Sequence, residues 1–417
     1  MKPLKSILLK NESGATAVYV AIVLGVLLMF TALAIDVNHL YGVRNELHNA
    51  ADGGALAGAI TLFNSDGTLN RQGALDEANR IAAANKTGNQ DVSEIDVETG
   101  HWSFTNKQFT ANAATTQADW HERPFSELDL DTDFINAVWV KTDRSDTPSF
   151  FARILGFNDF SVSTDAVAYI GFAGTLSPGE LDQPIAICKE SIIDPDGTYS
   201  CNMGRMLNSG GNTATSNTGG WTNFTQPCET ASATDMRDLV CASGNTEGVQ
   251  FGQGIGATGG VQDNVLADLY DCWETNTYDE THTRNKIINW NLTLPVVECP
   301  GNNVSNCANL VGAVSVNVVW IVHQNDPHYD EVPREMTVDG GPTWTCTDPD
   351  GFTCWKSFID NFNLANVDGP PMTDEEYEEM YQKKNIFFLP DCTVHEPRGR
   401  SGGENFGILA RIPKLVE

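Results

Sequence analysis

Histidine and carboxylate pairs are the first residues of this 417-residue sequence to consider for chemistry. His121-Glu122 and His395-Glu396 begin like a zinc-binding His-Glu-x-x-His motif, but a proline soon follows each and would break the helix that this motif needs. His323 and His328 lie at the two ends of a predicted turn and could share a metal. Two histidines in a turn more often bind nothing. We therefore predict no metal site, no catalytic residue, no cofactor and no enzyme.

Three aspartates alternate like the first ligands of a calcium-binding loop: Asp129, Asp131 and Asp133. Phe134 occupies the position where such a loop needs glycine for its bend. A strand with a solvated acidic face is the better prediction. The repeated sequence DPDG, at Asp194–Gly197 and Asp348–Gly351, is typical of a turn with proline second and glycine last, and calcium binding there is the less favoured alternative.

Ten cysteines form the largest chemically distinctive set: Cys188, Cys201, Cys228, Cys241, Cys272, Cys299, Cys307, Cys346, Cys354 and Cys392. Their number is even and no Cys-x-x-Cys pair occurs, which indicates disulfides in an oxidising compartment and not zinc or redox chemistry. Repeated spacings predict four local pairs, and Cys272 and Cys392 remain to pair at long range. The predicted local pairs are Cys188/Cys201, Cys228/Cys241, Cys299/Cys307 and Cys346/Cys354. Sequence alone leaves the connectivity open.

An uncharged apolar run at residues 14–35 is long enough to cross a bilayer as one helix. Lys2, Lys5 and Lys10 precede it, so the positive-inside rule places residues 1–13 in the cytoplasm and the rest of the chain across the membrane. The alternative is a cleaved signal peptide ending near Ala34, but the apolar run is longer than a signal core usually is.

Charge excludes one class of partner. The formal net charge is -30, so the chain would be repelled by nucleic acid and by anionic lipid headgroups.

The helical pattern continues beyond the predicted membrane span, through residues 36–62. Apolar and small residues recur there at helical spacing: Leu40, Val43, Leu47, Ala50, Gly54 and Ala57. Small residues let another backbone approach closely, although the glycines weaken the helix itself. Two interpretations stay open. The face packs either on the chain's own folded domain, which is favoured, or on other helices of an assembly.

After this helix we expect two folded regions, which makes the fold class α+β. Residues 63–172 predict a small module with a helix near residues 70–88. Its strands are expected at Ile95–Val97, His101–Phe104, Ala137–Val140 and Val162–Ile170. A Gly/Pro-containing connection then leads to a cysteine-rich α+β domain at residues 173–417, with a capping box at Thr373 and Glu376 before its last helix.

Two stretches of the sequence also carry a resemblance to a known family. The first, NESGATAVYVAIVLGVLLMFTALAIDVNHLYGVRNELHNAADGGALAGA, resembles the N-terminal region of TadG/TadE-like proteins, which are membrane components of the bacterial tight-adherence (Tad, Flp-type) pilus machinery. The second, AVWVKTDRSDTPSFFARILGFNDFSVSTDAVAYI, is similar to a later segment of that family, in which a Phe-Phe-Ala-Arg helix lies between two strands. The resemblance covers residues 11–172.

This resemblance implies a single-pass protein of a bacterial inner membrane, with its bulk in the periplasm and other pilus-assembly proteins as partners. Gly14 matches the residue cleaved by prepilin peptidase in TadE-like pilins, but Tyr19 occupies the place of their glutamate, so processing at Gly14 stays open. A secreted or surface adhesin that uses the cysteine-rich domain is the alternative function. A periplasmic hydrolase is a third and weaker one.

Overall fold

The computed structural model describes residues 13–92, 94–193, 204–208, 219–260, 262–277, 286–288, 290–300, 304–323, 329–338, 343–364, 372–382, 384–391, 393 and 395–416. The chain folds as predicted, with one long apolar helix followed by mixed helices and strands, so the α+β class is confirmed. Helix α1 runs without interruption from Ser13 to Thr61 and contains 49 residues. The predicted membrane span and its extension are therefore one rod, about 70 Å long at the usual rise per residue.

A helical and sheet module follows α1. Its elements are α2 (Arg71–Ala83), β1 (Lys86–Thr87), β2 (Gln90–Asp91), β3 (Glu94–Ser103), β4 (Gln108–Ala111), α3 (Phe125–Leu128), β5 (Ala137–Pro148), a 3-10 turn (Ala152–Leu155) and β6 (Asp159–Tyr169). The two strands predicted around residues 95 and 101 are parts of β3. Asn70 caps α2 by accepting a hydrogen bond from the backbone N–H of Gly73. The segment predicted as a short Phe-Phe-Ala-Arg helix is the 3-10 turn.

The module has two layers. Strands β4, β3, β5 and β6 lie side by side and antiparallel, and α1 and α2 cover one face of this sheet. The shared core is built from small helical residues and larger strand residues, among them Ala55, Ala78, Val138 and Val140, each fully buried. Alternation along the strands directs these side chains toward the helices.

The cysteine-rich part contains the remaining elements. They are β7 (Ala173–Leu176), β8 (Ile185–Cys188), a 3-10 turn (Lys189–Ser191), β9 (Arg205–Asn208), β10 (Gly219–Thr222), α4 (Ala233–Leu239), β11 (Val249–Gln250), β12 (Gly254–Thr258), α5 (Asp263–Thr277), β13 (Lys286–Ile288), β14 (Trp290–Val297), β15 (Cys307–Ile321), a 3-10 turn (Tyr329–Glu331), β16 (Glu335–Thr337), β17 (Thr343–Thr345), α6 (Gly351–Asn361), α7 (Asp374–Gln382), β18 (Asn385–Pro390), β19 (Arg400–Ser401) and β20 (Lys414–Leu415). The predicted capping box is confirmed, because Thr373 and Glu376 exchange hydrogen bonds at the start of α7.

A seven-stranded sheet forms the centre of this part, in the order β12, β10, β8, β14, β15, β18, β9. Strand β12 also pairs with β15, so five of these strands close into a ring. Helices α5 and α6 contribute Trp273, Trp355 and Phe358 to the core against Trp320 of β15. The described neighbours in the sheet are antiparallel except β8 and β14, which run in parallel.

The carboxyl end of the chain returns to the first module. Strand β20 pairs with β6 and becomes the fifth strand of the module's sheet. Nearby, the side chain of Asn405 donates hydrogen bonds to the carbonyl oxygens of Trp120 (2.8 Å) and Arg123 (2.7 Å). The division at residue 172 stays a prediction, but these contacts tie residues 405–415 to the module that precedes it.

Candidate membrane anchor and its docking site

The first half of α1 is the candidate membrane anchor. Among the described residues it is the one helix long and apolar enough to cross a membrane, and its apolar stretch is not buried by the rest of the chain. Large side chains such as Leu24, Met29 and Phe30 are exposed by 55%, 70% and 66%. Exposed apolar surface of this length is costly in water but stable in hydrocarbon, which fits membrane anchoring.

The second half of α1 docks on the chain's own module. Val43, Leu47, Ala50 and Gly54 of the predicted packing face are buried. The two other predicted members, Leu40 and Ala57, are half-buried, and Ala55, Gly58 and Ala59 are buried as well. The interpretation that this face packs on the chain's own domain therefore describes the structure. For the other interpretation, contact of this face with other assembly helices, only the half-buried Leu40 and Ala57 remain partly accessible.

Two glycines explain why this face is made of small residues. A Cβ added at Gly58 would lie 2.9 Å from the Cβ of Ala78 and 2.9 Å from Cγ1 of Val138. A Cβ added at Gly54 would lie 3.0 Å from the carbonyl oxygen of Ala78. Helix α1 thus approaches α2 and β5 so closely that a side chain at these positions would collide with backbone or core atoms. Packing of the helix compensates for the poor helix propensity of glycine.

Asp36 lies in α1 between its exposed half and its docked half. Its side chain is only 4% exposed. Its carboxylate accepts hydrogen bonds from the backbone N–H groups of Phe150 (2.7 Å), Phe151 (3.0 and 3.1 Å) and Ala152 (2.6 Å). These amides begin the 3-10 turn between β5 and β6, where a buried acceptor is needed because the turn itself cannot satisfy its first N–H groups. Asp36 therefore fixes the segment at residues 150–157 against α1.

That segment presents apolar side chains to the outside. Ile154 and Leu155 are each 79% exposed, and Phe157 is 59% exposed. Between this segment and α1 lies an open groove of about 600 Å³, lined mainly by residues 28–36 of α1 on one side and by residues 151–155 on the other. The segment and the end of the predicted membrane span are therefore at the same level along the helix.

The three alternating aspartates do not form the solvated strand predicted for them. Asp129 follows α3, is 3% exposed, and accepts hydrogen bonds from the backbone N–H groups of Phe104 (2.7 Å) and Thr105 (2.9 Å). Asp131 pairs with Arg123 at 2.8 Å. The prediction of a strand was wrong, because these residues follow α3 in turns and the carboxylates of Asp129 and Asp131 contact other parts of the chain. Burial raises the pKa of Asp129, but the hydrogen bonds from Phe104, Thr105 and Ser103 outweigh burial and hold its pKa below 3.8.

The other candidate ligands also have structural partners. The ring of His323 packs on Tyr270, with ring centroids 3.9 Å apart, and His328 lies outside the described residues. In the second DPDG stretch, Asp350 caps α6 by accepting from the N–H groups of Phe352 and Thr353, whereas the first stretch lies outside the described residues. Within the described part of the chain, no three His, Cys, Asp or Glu side chains meet as a metal site.

Three of the four described disulfides do not follow the spacing of the cysteines in the sequence. The described disulfides are Cys188–Cys299, Cys228–Cys307, Cys241–Cys272 and Cys346–Cys354. Only the last of these was predicted. The predicted pairs Cys188/Cys201, Cys228/Cys241 and Cys299/Cys307 are wrong, and so is the pairing of Cys272 with Cys392. Cys201 and Cys392 themselves lie outside the described residues.

The register of two strands explains the Cys188–Cys299 disulfide. Strands β8 and β14 run in parallel with Cys188 beside Val297, which places Cys299 close enough for a bond, with a Cα–Cα distance of 5.5 Å. The Cys228–Cys307 disulfide lies against Gly254, where an added Cβ would meet both sulfur atoms. These contacts arise from non-local pairing that no local spacing reveals.

One polar cluster in the cysteine-rich part resembles a catalytic relay in composition. The carboxylate of Asp391 lies 2.8 Å from Nε2 of His395 and accepts a hydrogen bond from the hydroxyl of Thr393 (2.7 Å). The same Nε2 is the ring nitrogen that lies 3.4 Å from the Thr393 hydroxyl. A relay needs the acid and the nucleophile on opposite nitrogens, so this arrangement is not one. Burial raises the pKa of Asp391, and the contacts with His395 and Thr393 outweigh it and lower that pKa.

Two further spacings in the sequence match functional motifs that were not among the predictions. Gly399-x-Ser401-x-Gly403 fits a nucleophile elbow, but Ser401 ends the two-residue strand β19 and its hydroxyl donates to the carbonyl oxygen of Ile412 (3.1 Å). Asp159-x-Ser161-x-Ser163 has the spacing of a von Willebrand A metal site. These three residues lie along β6 in an antiparallel sheet, separated as alternate strand residues are, and do not converge on one point.

Comparison with known proteins matches the region that contains α1 and the module. A family model described as "Putative Flp pilus-assembly TadE/G-like" matches residues 14–61, and a model described as "Putative Tad-like Flp pilus-assembly" matches residues 57–168. No curated protein and no solved structure matches the chain. The two models follow each other along α1, α2 and the strands up to β6, so residues 14–168 match the TadE/G-like family of Flp pilus-assembly proteins.

Proposed function

We propose that this protein is a membrane-anchored, non-catalytic component of Flp pilus assembly. The observation that carries the proposal is the coincidence of the family match with a continuous helix whose first half is exposed and apolar and whose second half is docked. In this proposal residues 14–35 cross the bacterial inner membrane with the N-terminus in the cytoplasm. The module and the disulfide-bonded part then lie in the periplasm, where cysteines are oxidised.

The mechanism is mechanical. Because α1 is one rod and its second half is packed into the module, a force or displacement applied to the membrane-spanning half is transmitted to the folded part without a flexible joint. The close contacts at Gly54 and Gly58 and the hydrogen bonds at Asp36 hold this connection. A flexible linker in place of residues 36–62 would allow the folded part to rotate independently of the anchor.

Contacts with other assembly helices belong, in this proposal, to the exposed half of α1. The face at residues 43–58 is occupied within the chain. By contrast, a Cβ added at Gly25 would meet no atom within 4 Å. In a bilayer, a small residue at an exposed position allows close approach of a second helix.

A topology and piliation experiment in the host bacterium tests the proposal. A periplasm-active reporter fused after residue 417 should be active, the protein should fractionate with the inner membrane, and deletion of the gene should abolish Flp pili. A cytosol-active reporter or normal piliation of the deletion strain would refute it. Recovery of the protein in sheared surface fractions instead of the inner membrane would favour the adhesin alternative.

Crosslinking then locates the partner surface. Gly25→Cys should form crosslinks to another assembly protein in native membranes. Leu130→Cys, at an apolar position of the module that is 60% exposed, is the control and should not. Equal crosslinking of both variants would show random collision and count against a partner helix at Gly25.

A further inference from the structure

A second membrane contact is suggested by the exposed apolar segment between β5 and β6. Phe150, Phe151, Ile154, Leu155 and Phe157 are all large, apolar and at least 40% exposed. They lie within eight consecutive positions, residues 150–157, whereas most large apolar side chains that the structure describes outside α1 are buried. A concentrated exposed apolar surface of this kind needs a cover, because it is unfavourable in water.

The position of the segment identifies the cover. The groove that separates it from α1 is lined on the helix side by Leu28, Met29, Leu33 and Ile35, which belong to the predicted membrane span. Residues 28–35 occupy about 10 Å along the helix axis. If residues 14–35 cross a bilayer, Ile154 and Leu155 lie at the depth of its outer boundary, within the range at which apolar side chains enter the acyl region.

The polar groups of the segment are arranged for this depth. Its three leading backbone N–H groups are satisfied by Asp36, so they do not need water. The exposed Arg153 lies between the half-buried Ala152 and the exposed Ile154, and a long cationic side chain of this kind can extend to headgroup phosphates while its stem stays in the interface. Phe150 is held on the helix by an edge-on contact with His39, with ring centroids 4.9 Å apart.

We infer that residues 150–157 insert into the outer leaflet beside α1 and that the acyl chains of phospholipids cover Ile154, Leu155 and Phe157. With two separate membrane contacts on one rigid unit, the docked half of α1 is held at one tilt. The inference rests on the membrane crossing of α1 in the proposed function, but it does not depend on any pilus partner. The proposed contact depends on burial of apolar side chains in the lipid, because the strongly negative net charge of the chain does not attract it to a membrane surface.

Depth-dependent quenching tests the inference on the full, disulfide-bonded chain in phosphatidylcholine liposomes, where lipid charge has no influence. An NBD fluorophore is attached at Leu155→Cys. Matched labels are placed at Val26→Cys, in the predicted span, and at Leu130→Cys, which is exposed on the module. We expect doxyl groups on the lipid chains to quench the labels at positions 26 and 155, and aqueous iodide to quench only the label at position 130.

Each alternative outcome has one meaning. Quenching of position 155 by iodide while position 26 is quenched by lipid overturns the insertion and leaves the anchor intact. Shielding of position 155 from both quenchers means that protein, such as a second copy of the chain, covers the segment, and it also overturns the inference. Iodide quenching at position 26 would instead refute the anchoring in the proposed function.

Discussion

Gly58→Ala is the substitution that most directly tests the docking of α1. The added methyl carbon would lie 2.9 Å from Cβ of Ala78, 2.9 Å from Cγ1 of Val138 and 3.0 Å from the carbonyl oxygen of Ala74. Carbon atoms in favourable contact are about 3.5–4.0 Å apart, so α1 must move away from α2 and β5. Overpacking of a core in this way costs about 1–3 kcal/mol.

Gly42→Ala is the matched control, because it makes the same change on the same helix. A Cβ at Gly42 meets no atom within 4 Å. Both substitutions gain about 1 kcal/mol of helix propensity, so the difference between the two variants isolates the packing cost. We therefore expect Gly58→Ala to be less stable than Gly42→Ala by about 1–3 kcal/mol.

Hydrogen exchange, measured by mass spectrometry on the full chain in liposomes, detects this difference in stability peptide by peptide. A loss of about 1–3 kcal/mol corresponds to exchange in peptides of α2 that is faster by about 5- to 150-fold in Gly58→Ala than in Gly42→Ala. Peptides of α5, which lies in the cysteine-rich part, should exchange alike in both variants. Equal protection of α2 in the two variants would show that α1 does not contact α2 at Gly58 and would refute the docking.

Three further predictions concern the Asp36 contacts, two disulfides of the cysteine-rich part and the buried Asp129. Asp36→Ala removes the acceptor of three backbone N–H groups at the start of the 3-10 turn. These amides should exchange hydrogen faster in Asp36→Ala than in Asp36→Asn, which keeps one acceptor oxygen. Identical exchange in the two variants would argue against the carboxylate as their partner. Serine replacement of the Cys188–Cys299 disulfide should lower the free energy of unfolding by about 4.8 kcal/mol, and that of Cys346–Cys354 by about 2.5 kcal/mol. The first loss is larger because the sequence separations are 111 and 8 residues, and a longer loop loses more entropy on closure. Equal shifts of the denaturation midpoint would contradict this prediction. Because the pKa of Asp129 is lowered, its stabilising contribution is complete above pH 3.8 and is lost as the pH falls through that lowered pKa. In thermal melting, Asp129→Asn should therefore be less stable than the unchanged protein at neutral pH and should lose less stability on acidification. Parallel dependence of the two melting temperatures on acid pH would refute the assignment.

The sequence alone was sufficient for the features that depend on local order. An uncharged run, a helical spacing that continues past it and alternating strand residues predicted α1, α2 and the strands β3, β5 and β6 of the module. Each of these features depends on which residues are neighbours along the chain, because helix and strand periodicity are local properties. The even count of cysteines likewise predicted disulfides, although not their partners.

Tertiary structure decided which of these local elements meet. The face of α1 at Val43, Leu47 and Gly54 was visible as a pattern, but its partners α2 and β5 were not. The pairing of Cys188 with Cys299 depends on the parallel register of β8 and β14, which begin more than a hundred residues apart. Asp36 shows the same limit, since its role comes from amides over a hundred residues away that only the folded sheet brings to the helix. The sequence determined the elements and their chemistry, whereas long-range register and close packing determined which atoms they bring together.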